Sequence, residues 1–286
     1  MTTLLVPSDF SANATAALRY AIQLNRFLKS TLIVFHCSHI SAYALTAAST
    51  KEQMNLLLKE DEQDKLEKLQ DQVQKAYKYL DIKKIPASTK CLVEYNPMVV
   101  ENTIDVAKKN DAGLIIMGTH GATGIKKFFF GSNTSIMISK SPVPVLAIPG
   151  NYTYAPLQTI VFSSDLQNLP FELNLLLPFA IANKAAIDVL YLDYGIDTDS
   201  KKINNAETLI LKTPYKKIKL VKQKATIESS LVDQVKKYIS KNKPGCLVMF
   251  TRERSLWDRL FAGSKTEDMS AALNVPLLSF KKENNK

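Results

Sequence analysis

Glycine is scarce in this 286-residue chain, nine residues against twelve prolines, and neither is gathered into a run. That argues against disorder and leaves no long flexible linker, so the parts of the chain are expected to pack together. Cysteine is scarcer still. Cys37, Cys91 and Cys246 are odd in number and each lies in an apolar run, which excludes a disulfide framework and reads as buried, reduced thiols. The longest apolar runs, at 113–117 and 143–148, have strand length and fall far short of the ~20 residues a membrane span requires. The opening Met1-Thr2-Thr3-Leu4-Leu5-Val6-Pro7 shows no basic, apolar or cleavage region of a leader, so a soluble, cytoplasmic protein without membrane association is expected.

Charge is present but dispersed. The net +10 is shared by both halves, and clusters such as Lys216-Lys217-Ile218-Lys219 and Lys281-Lys282 lack the aromatic interleaving of nucleic-acid binders, so they read as solvated faces. A hydrophobic content of 46% is enough for two domains of about 150 residues each.

The two domains are legible as a repeat. Leu4-Leu5-Val6-Pro7-Ser8-Asp9-Phe10 matches Ile160-Val161-Phe162-Ser163-Ser164-Asp165-Leu166 at an offset of 156 residues, and the same offset carries 32–35 onto 188–191. Farther on the offset falls to 132, aligning 96–117 with 228–249, Gly131-Ser132 with Gly263-Ser264, and 143–146 with 275–278. The second copy has thus lost 24 residues where the first has a charged amphipathic segment, 51–80, with Leu66, Leu69, Val73, Ala76 and Leu80 on one stripe. The boundaries expected are 1–150 and 151–286.

In each copy, near-continuous apolar runs alternate with helical patterns, the mark of strands buried on both faces of a parallel sheet. In the first copy the strands are expected at 3–7, 31–37, 88–94, 113–118 and 143–148. Ser11 is placed to cap a helix through Ala14, Ala17, Leu18, Ala21, Ile22 and Leu28. The fold class is α/β: two tandem, doubly wound, Rossmann-like domains, each with a five-stranded parallel sheet. Pro142 and Pro144 put the fifth strand at an edge, where the two copies are expected to pair as an internal pseudo-dimer.

The chemistry concentrates after the fourth strand, in Met117-Gly118-Thr119-His120-Gly121, continuing to Phe130-Gly131-Ser132-Asn133-Thr134 and reading G-x2-G-x9-G-S. In an open parallel sheet the ligand crevice lies beyond the carboxyl ends of the strands, where glycines admit a phosphate to the backbone. Ser132 to Thr134 then open a helix whose free amides and dipole attract an anion, with two hydroxyls as further donors. Asp9, at the end of the first strand, is placed to accept hydrogen bonds from a ribose or an adenine edge.

This segment, together with 4–10 and the closing Ser141-Pro142-Val143-Pro144-Val145-Leu146-Ala147-Ile148-Pro149, resembles the universal stress protein family over residues 1–150. The resemblance implies a five-stranded parallel sheet between helices and, through the glycine motif, an ATP site, with Mg2+ as an optional companion. Carried over by position, it puts Gly118, Gly121, Gly131, Ser132, Asn133 and Thr134 around the triphosphate, and Pro7, Ser8, Asp9, Cys37 and Met117 around the adenosine. It further implies stress adaptation through nucleotide-dependent association with protein partners, with at most slow hydrolysis or autophosphorylation. A nucleotide-independent interaction module and a slow ATPase are the alternatives, and further homodimerisation stays open. Gly118→Val is expected to abolish ATP binding and leave the fold intact.

In the second copy the matching residues are Met249-Phe250-Thr251-Arg252-Glu253 and Gly263-Ser264-Lys265-Thr266-Glu267-Asp268. Two of the three glycines are gone, Phe250 replaces one, and Glu253, Glu267 and Asp268 bring like charge to where an anion would sit, so this copy is not expected to bind ATP. Arg252 and Arg254 leave room for a smaller anion as the minor reading. Asp165 reads as a turn former.

Other candidates are discounted. His36-Cys37-Ser38-His39 has metal-like composition, but strand neighbours point to opposite faces and no second ligand pair at zinc spacing accompanies it, so no metal site is assigned. His120 receives no role. Phe128-Phe129-Phe130, with Trp257 and Phe261 at the corresponding place in the second copy, read as packing or an interface. A receiver domain is excluded by Ser8-Asp9, Glu94 and Pro149 at the three strand ends where it needs paired acids, an Asp and a Lys. A flavodoxin is excluded by the absence of a phosphate loop after the first strand. With no P-loop, no nucleophile elbow and no acid/base pair, no catalytic residue is assigned.

Overall fold

The apolar runs become strands and the periodic segments become helices in the computed structural model, which describes residues 3–39, 50–119, 132–195, 199–226, 228–251 and 275–281. The chain divides into two compact units, 1–150 and 151–286.

The first unit runs β1 (Thr3–Pro7), α1 (Ala12–Leu28), β2 (Thr31–Ser38), α2 (Lys51–Tyr79), β3 (Thr89–Tyr95), α3 (Val99–Lys109), β4 (Ala112–Gly118), α4 (Ser132–Lys140) and β5 (Val145–Ile148). Its strands are parallel and ordered β3-β2-β1-β4-β5, with Leu4 beside Leu32 and Leu114 in the sheet centre. All three are fully buried because helices cover both faces, which explains the unbroken apolar runs. The strand order reverses between β1 and β4, and a crevice opens beyond the carboxyl ends at such a point.

Ser11 caps α1 as expected, its Oγ accepting from the Ala14 amide at 3.1 Å, and Lys29 ends the helix in the left-handed conformation. Helix α2 buries Leu69, Val73 and Ala76 of the expected stripe and adds Gln72 and Tyr77.

The second unit runs β6 (Thr159–Ser163), α5 (Leu169–Ala182), β7 (Ala186–Asp193), α6 (Asp199–Lys212), β8 (Ile218–Lys224), α7 (Leu231–Asn242), β9 (Cys246–Thr251) and β10 (Leu277–Lys281). It repeats the parallel order as β8-β7-β6-β9-β10. The deletion read from the offsets falls on the second helix: α6 has 14 residues where α2 has 29. No helix among the described residues is long and apolar enough to cross a membrane.

Candidate functional site

A cavity of about 860 Å³ lies at the β1/β4 reversal of the first unit. Its floor is the ends of β1, β2 and β4, and α2, α3 and α4 supply its walls. Of the sequence candidates, Pro7, Ser8, Asp9, Cys37, Met117, Gly118, Ser132, Asn133 and Thr134 all line it. Gly121 and Gly131 lie outside the described residues, as do His120, Phe128-Phe129-Phe130, Arg252, Glu253, Arg254, Trp257, Phe261, Gly263, Ser264, Glu267 and Asp268.

The β1 end is shaped by a turn that its own side chains build. Ser8 Oγ accepts from the Phe10 amide at 3.1 Å and donates to Gln72 Oε1 at 2.7 Å, while Asp9 Oδ1 accepts from the Ser11 amide at 3.0 Å. Phe10 takes φ 64°, a left-handed conformation that costs a β-carbon-bearing residue energy and is over-determined here by those bonds. The second unit makes the same turn. Leu166 has φ 62°, and its amide and that of Gln167 donate to Ser164 Oγ and Asp165 Oδ1, each at 3.0 Å. Asp165 is therefore a turn former, and Asp9 carries that duty as well as facing the cavity.

At the phosphate end, the structure divides the candidates. Ser132 and Asn133 are exposed in the first turn of α4, where backbone amides have no partner within the helix. Thr134 is buried and its hydroxyl donates to the Gly118 carbonyl at 2.8 Å, so that proton is committed to tying α4 to β4. Gly118 is held to glycine by packing: a Cβ there would stand 2.7 Å from the Asn13 carbonyl oxygen at the start of α1. A Gly118→Val change therefore strains the fold itself, contrary to the expectation of an intact one.

Cys37 is half-buried, donating to the Asn96 carbonyl at 3.3 Å and accepting from Asn102 Nδ2 at 3.4 Å, and burial raises its thiol pKa. Among the described residues no group of three or more His, Cys, Asp or Glu side chains is disposed to hold a metal ion.

Several cavity contacts lie beyond what the sequence indicated, among them those of His36 and Ser38, which it raised only within a discounted metal motif. His36 Nδ1 donates to the Ser8 carbonyl at 2.8 Å, its ring 4.4 Å from that of Phe10, with Lys68 Nζ 4.4 Å from the Phe10 ring centre on the same group. Burial, more than any other influence, lowers the His36 pKa; the Ser8 carbonyl opposes this, and Lys65 and Lys68 reinforce it. Tyr95 Oη donates to Asp61 Oδ2 at 2.5 Å, with the Leu58 carbonyl oxygen 3.3 Å away, and Ser38 Oγ donates to the same carboxylate oxygen at 3.4 Å. Burial and then the Asp61 carboxylate push the Tyr95 phenol well above its usual range. These contacts join residues 23 to 37 positions apart, so no local pattern announces them.

The second unit differs at the matching place. Phe250, which stands where the first unit has Gly118, is 8% exposed and stacks on Phe280 at 4.8 Å and against Phe162 at 5.3 Å. Its ring is core there.

Residues 1–149, just over half of the chain, match the universal stress protein family. The chain belongs to the universal stress protein family. Two universal stress proteins of Methanocaldococcus jannaschii are similar: MJ0531 is 26% identical over 147 residues, covering 51% of this chain and 80% of its own, and MJ0577 is 27% identical over 161 residues, covering 51% and 93%. Across both units the fold matches a universal stress protein of Archaeoglobus fulgidus DSM 4304, with a TM-score of 0.67 at 15% identity over 98% of each chain. A putative universal stress protein of Pseudomonas aeruginosa UCBPP-PA14 matches with a TM-score of 0.58 at 14% identity, over 98% of this chain and 93% of that one. This universal stress protein is thus an α/β chain of two tandem parallel-sheet units.

Proposed function

We propose that the first unit of this universal stress protein binds ATP, that the second does not, and that the bound nucleotide governs association with protein partners in stress adaptation. The observation carrying the reading is the cavity itself. It joins the first-turn amides of α4, suited to phosphate, to the ends of β1, β2 and β4, where Pro7, Asp9, Cys37 and Met117 suit an adenosine. The glycine motif that completes the phosphate end is present in the sequence, and its counterpart in the second unit has Phe250 turned into an aromatic core.

The partner-binding part of the proposal draws on α5, whose Phe171, Leu175 and Ile181 are 41%, 39% and 52% exposed along one helix. A slow ATPase is the competing reading of the same cavity. Isothermal titration of purified, ligand-free protein with ATP and with AMP tests the proposal. Binding of ATP at one site per chain is the expected result. Heat from neither nucleotide would favour a nucleotide-independent module, and steady phosphate release would favour an enzyme.

A further inference from the structure

Helix α2 meets the cavity in a way the other walls do not. From Leu69 onward its inner stripe of Leu69, Gln72, Val73, Ala76 and Tyr77 is buried against the body of the unit. Earlier on the helix, Met54, Leu57, Leu58, Asp61 and Lys65 continue toward the same side but line the cavity, and Leu57 remains 41% exposed. These turns face a hollow in place of a core. A helical stretch of about 15 residues is marginal in water on its own, so its position depends on tertiary contacts. The bond from Tyr95 to Asp61, backed by Ser38, fastens it to the ends of β2 and β3. The second unit offers an internal contrast, because its shorter α6 accompanies the copy without the glycine motif.

We propose that residues 51–65 of α2 cover the base of the bound nucleotide, with Met54, Leu57 and Leu58 packing on the purine and the Tyr95 to Asp61 bond positioning the helix for that contact. The inference rests on the ATP-binding reading of this unit. The first turn of α4 attracts the anionic end of the ligand, and the cavity extends from there past β1 and β2 to α2. The end of an adenine nucleotide that reaches α2 is therefore the uncharged one. A flat aromatic ring suits a thioether and two branched aliphatic chains, and its burial would supply the apolar contact these turns lack.

The test uses the full chain, freed of nucleotide and titrated with ATP, in wild-type form and as Leu58→Ser, Met54→Ser, Tyr95→Phe and Leu56→Ser. Leu56 is 58% exposed and does not line the cavity, so it reports any general effect of an added serine on the helix. Leu58→Ser is expected to weaken ATP about tenfold, equivalent to about 1.4 kcal/mol. Met54→Ser and Tyr95→Phe should weaken it by smaller factors, and Leu56→Ser should leave it unchanged. Amide exchange across 51–65 should slow when ATP binds the wild type. Equal affinities for Leu58→Ser, Leu56→Ser and wild type, or unchanged exchange in that segment while ATP binds, would overturn the wall alone. A wild-type chain that binds no ATP would instead overturn the nucleotide reading and the wall with it.

Discussion

The Thr134 hydroxyl donates to the Gly118 carbonyl at 2.8 Å, joining the first turn of α4 to the last residue of β4 inside the unit. This bond fixes where the α4 amides point, so its residue acts on the site through geometry. Thr134→Val keeps the shape and removes the donor, and it should cost about 1–3 kcal/mol of stability by depriving a buried carbonyl of a partner. Thr134→Ser should restore most of that loss. Urea unfolding of the two variants measures the difference, and equal stability of all three proteins would refute the role.

Gly118→Ala should be destabilising before any ligand is considered. Its Cβ would meet the Asn13 backbone at 2.7 to 2.8 Å, and overpacking of this kind costs about 1–3 kcal/mol. A thermal melt showing no loss would indicate that α1 yields freely. Ser132→Ala, at an exposed position, is the cleaner probe of the phosphate end: it should weaken ATP and leave the melting temperature unchanged.

The two units should respond separately to Phe250→Ala. Emptying a ring that packs between Phe162 and Phe280 should cost the second unit about 3–5 kcal/mol, while ATP affinity stays at the wild-type value because the cavity belongs to the first unit. Unfolding curves and titrations on the same preparation would separate the two effects. A parallel loss of affinity would contradict the assignment.

Alkylation should rank the three thiols. Burial raises the Cys37 and Cys91 pKa and drives that of fully buried Cys246 up to about 12, so all three react slowly at neutral pH and Cys246 the most slowly. ATP should slow modification of Cys37 further and leave Cys246 as it was. Mass spectrometry of iodoacetamide-treated protein gives the three rates, and a Cys37 rate indifferent to ATP would count against placing adenosine at the β2 end.

His36 should make the first unit sensitive to mild acid. Its folded pKa lies below the ordinary value of about 6.5, so the unfolded chain takes up the proton first. Its contribution is present above about pH 6.5 and is lost as pH falls from there through the folded pKa. Stability should therefore decline across that window, and His36→Asn should flatten the decline. Urea unfolding between about pH 5 and 7.5 supplies the slopes.

The strand pattern and the duplication needed no tertiary knowledge. Runs such as Leu32 to Phe35 are apolar at every position because both sheet faces are covered, and β1, β2 and β6 each begin at the threonine just before such a run. The sequence indicated Asp165 as a turn former but gave Asp9 only a ligand role, although the turns at Ser8-Asp9-Phe10 and Ser164-Asp165-Leu166 rest on the same two-residue hydrogen bonds. Tertiary structure alone decided which faces meet. It set Gly118 against Asn13, spent the Thr134 hydroxyl on a carbonyl, turned Phe250 into its own core and brought Asp61 to Tyr95. The stripe read along α2 is core at Leu69, Val73 and Ala76, and nothing in its spacing distinguishes those turns from the ones at Met54 to Lys65 that face the cavity. Helical periodicity records which residues share a side. What that side touches depends on how far the helix outruns the sheet beneath it, and that length is set by chain folding and not by local sequence.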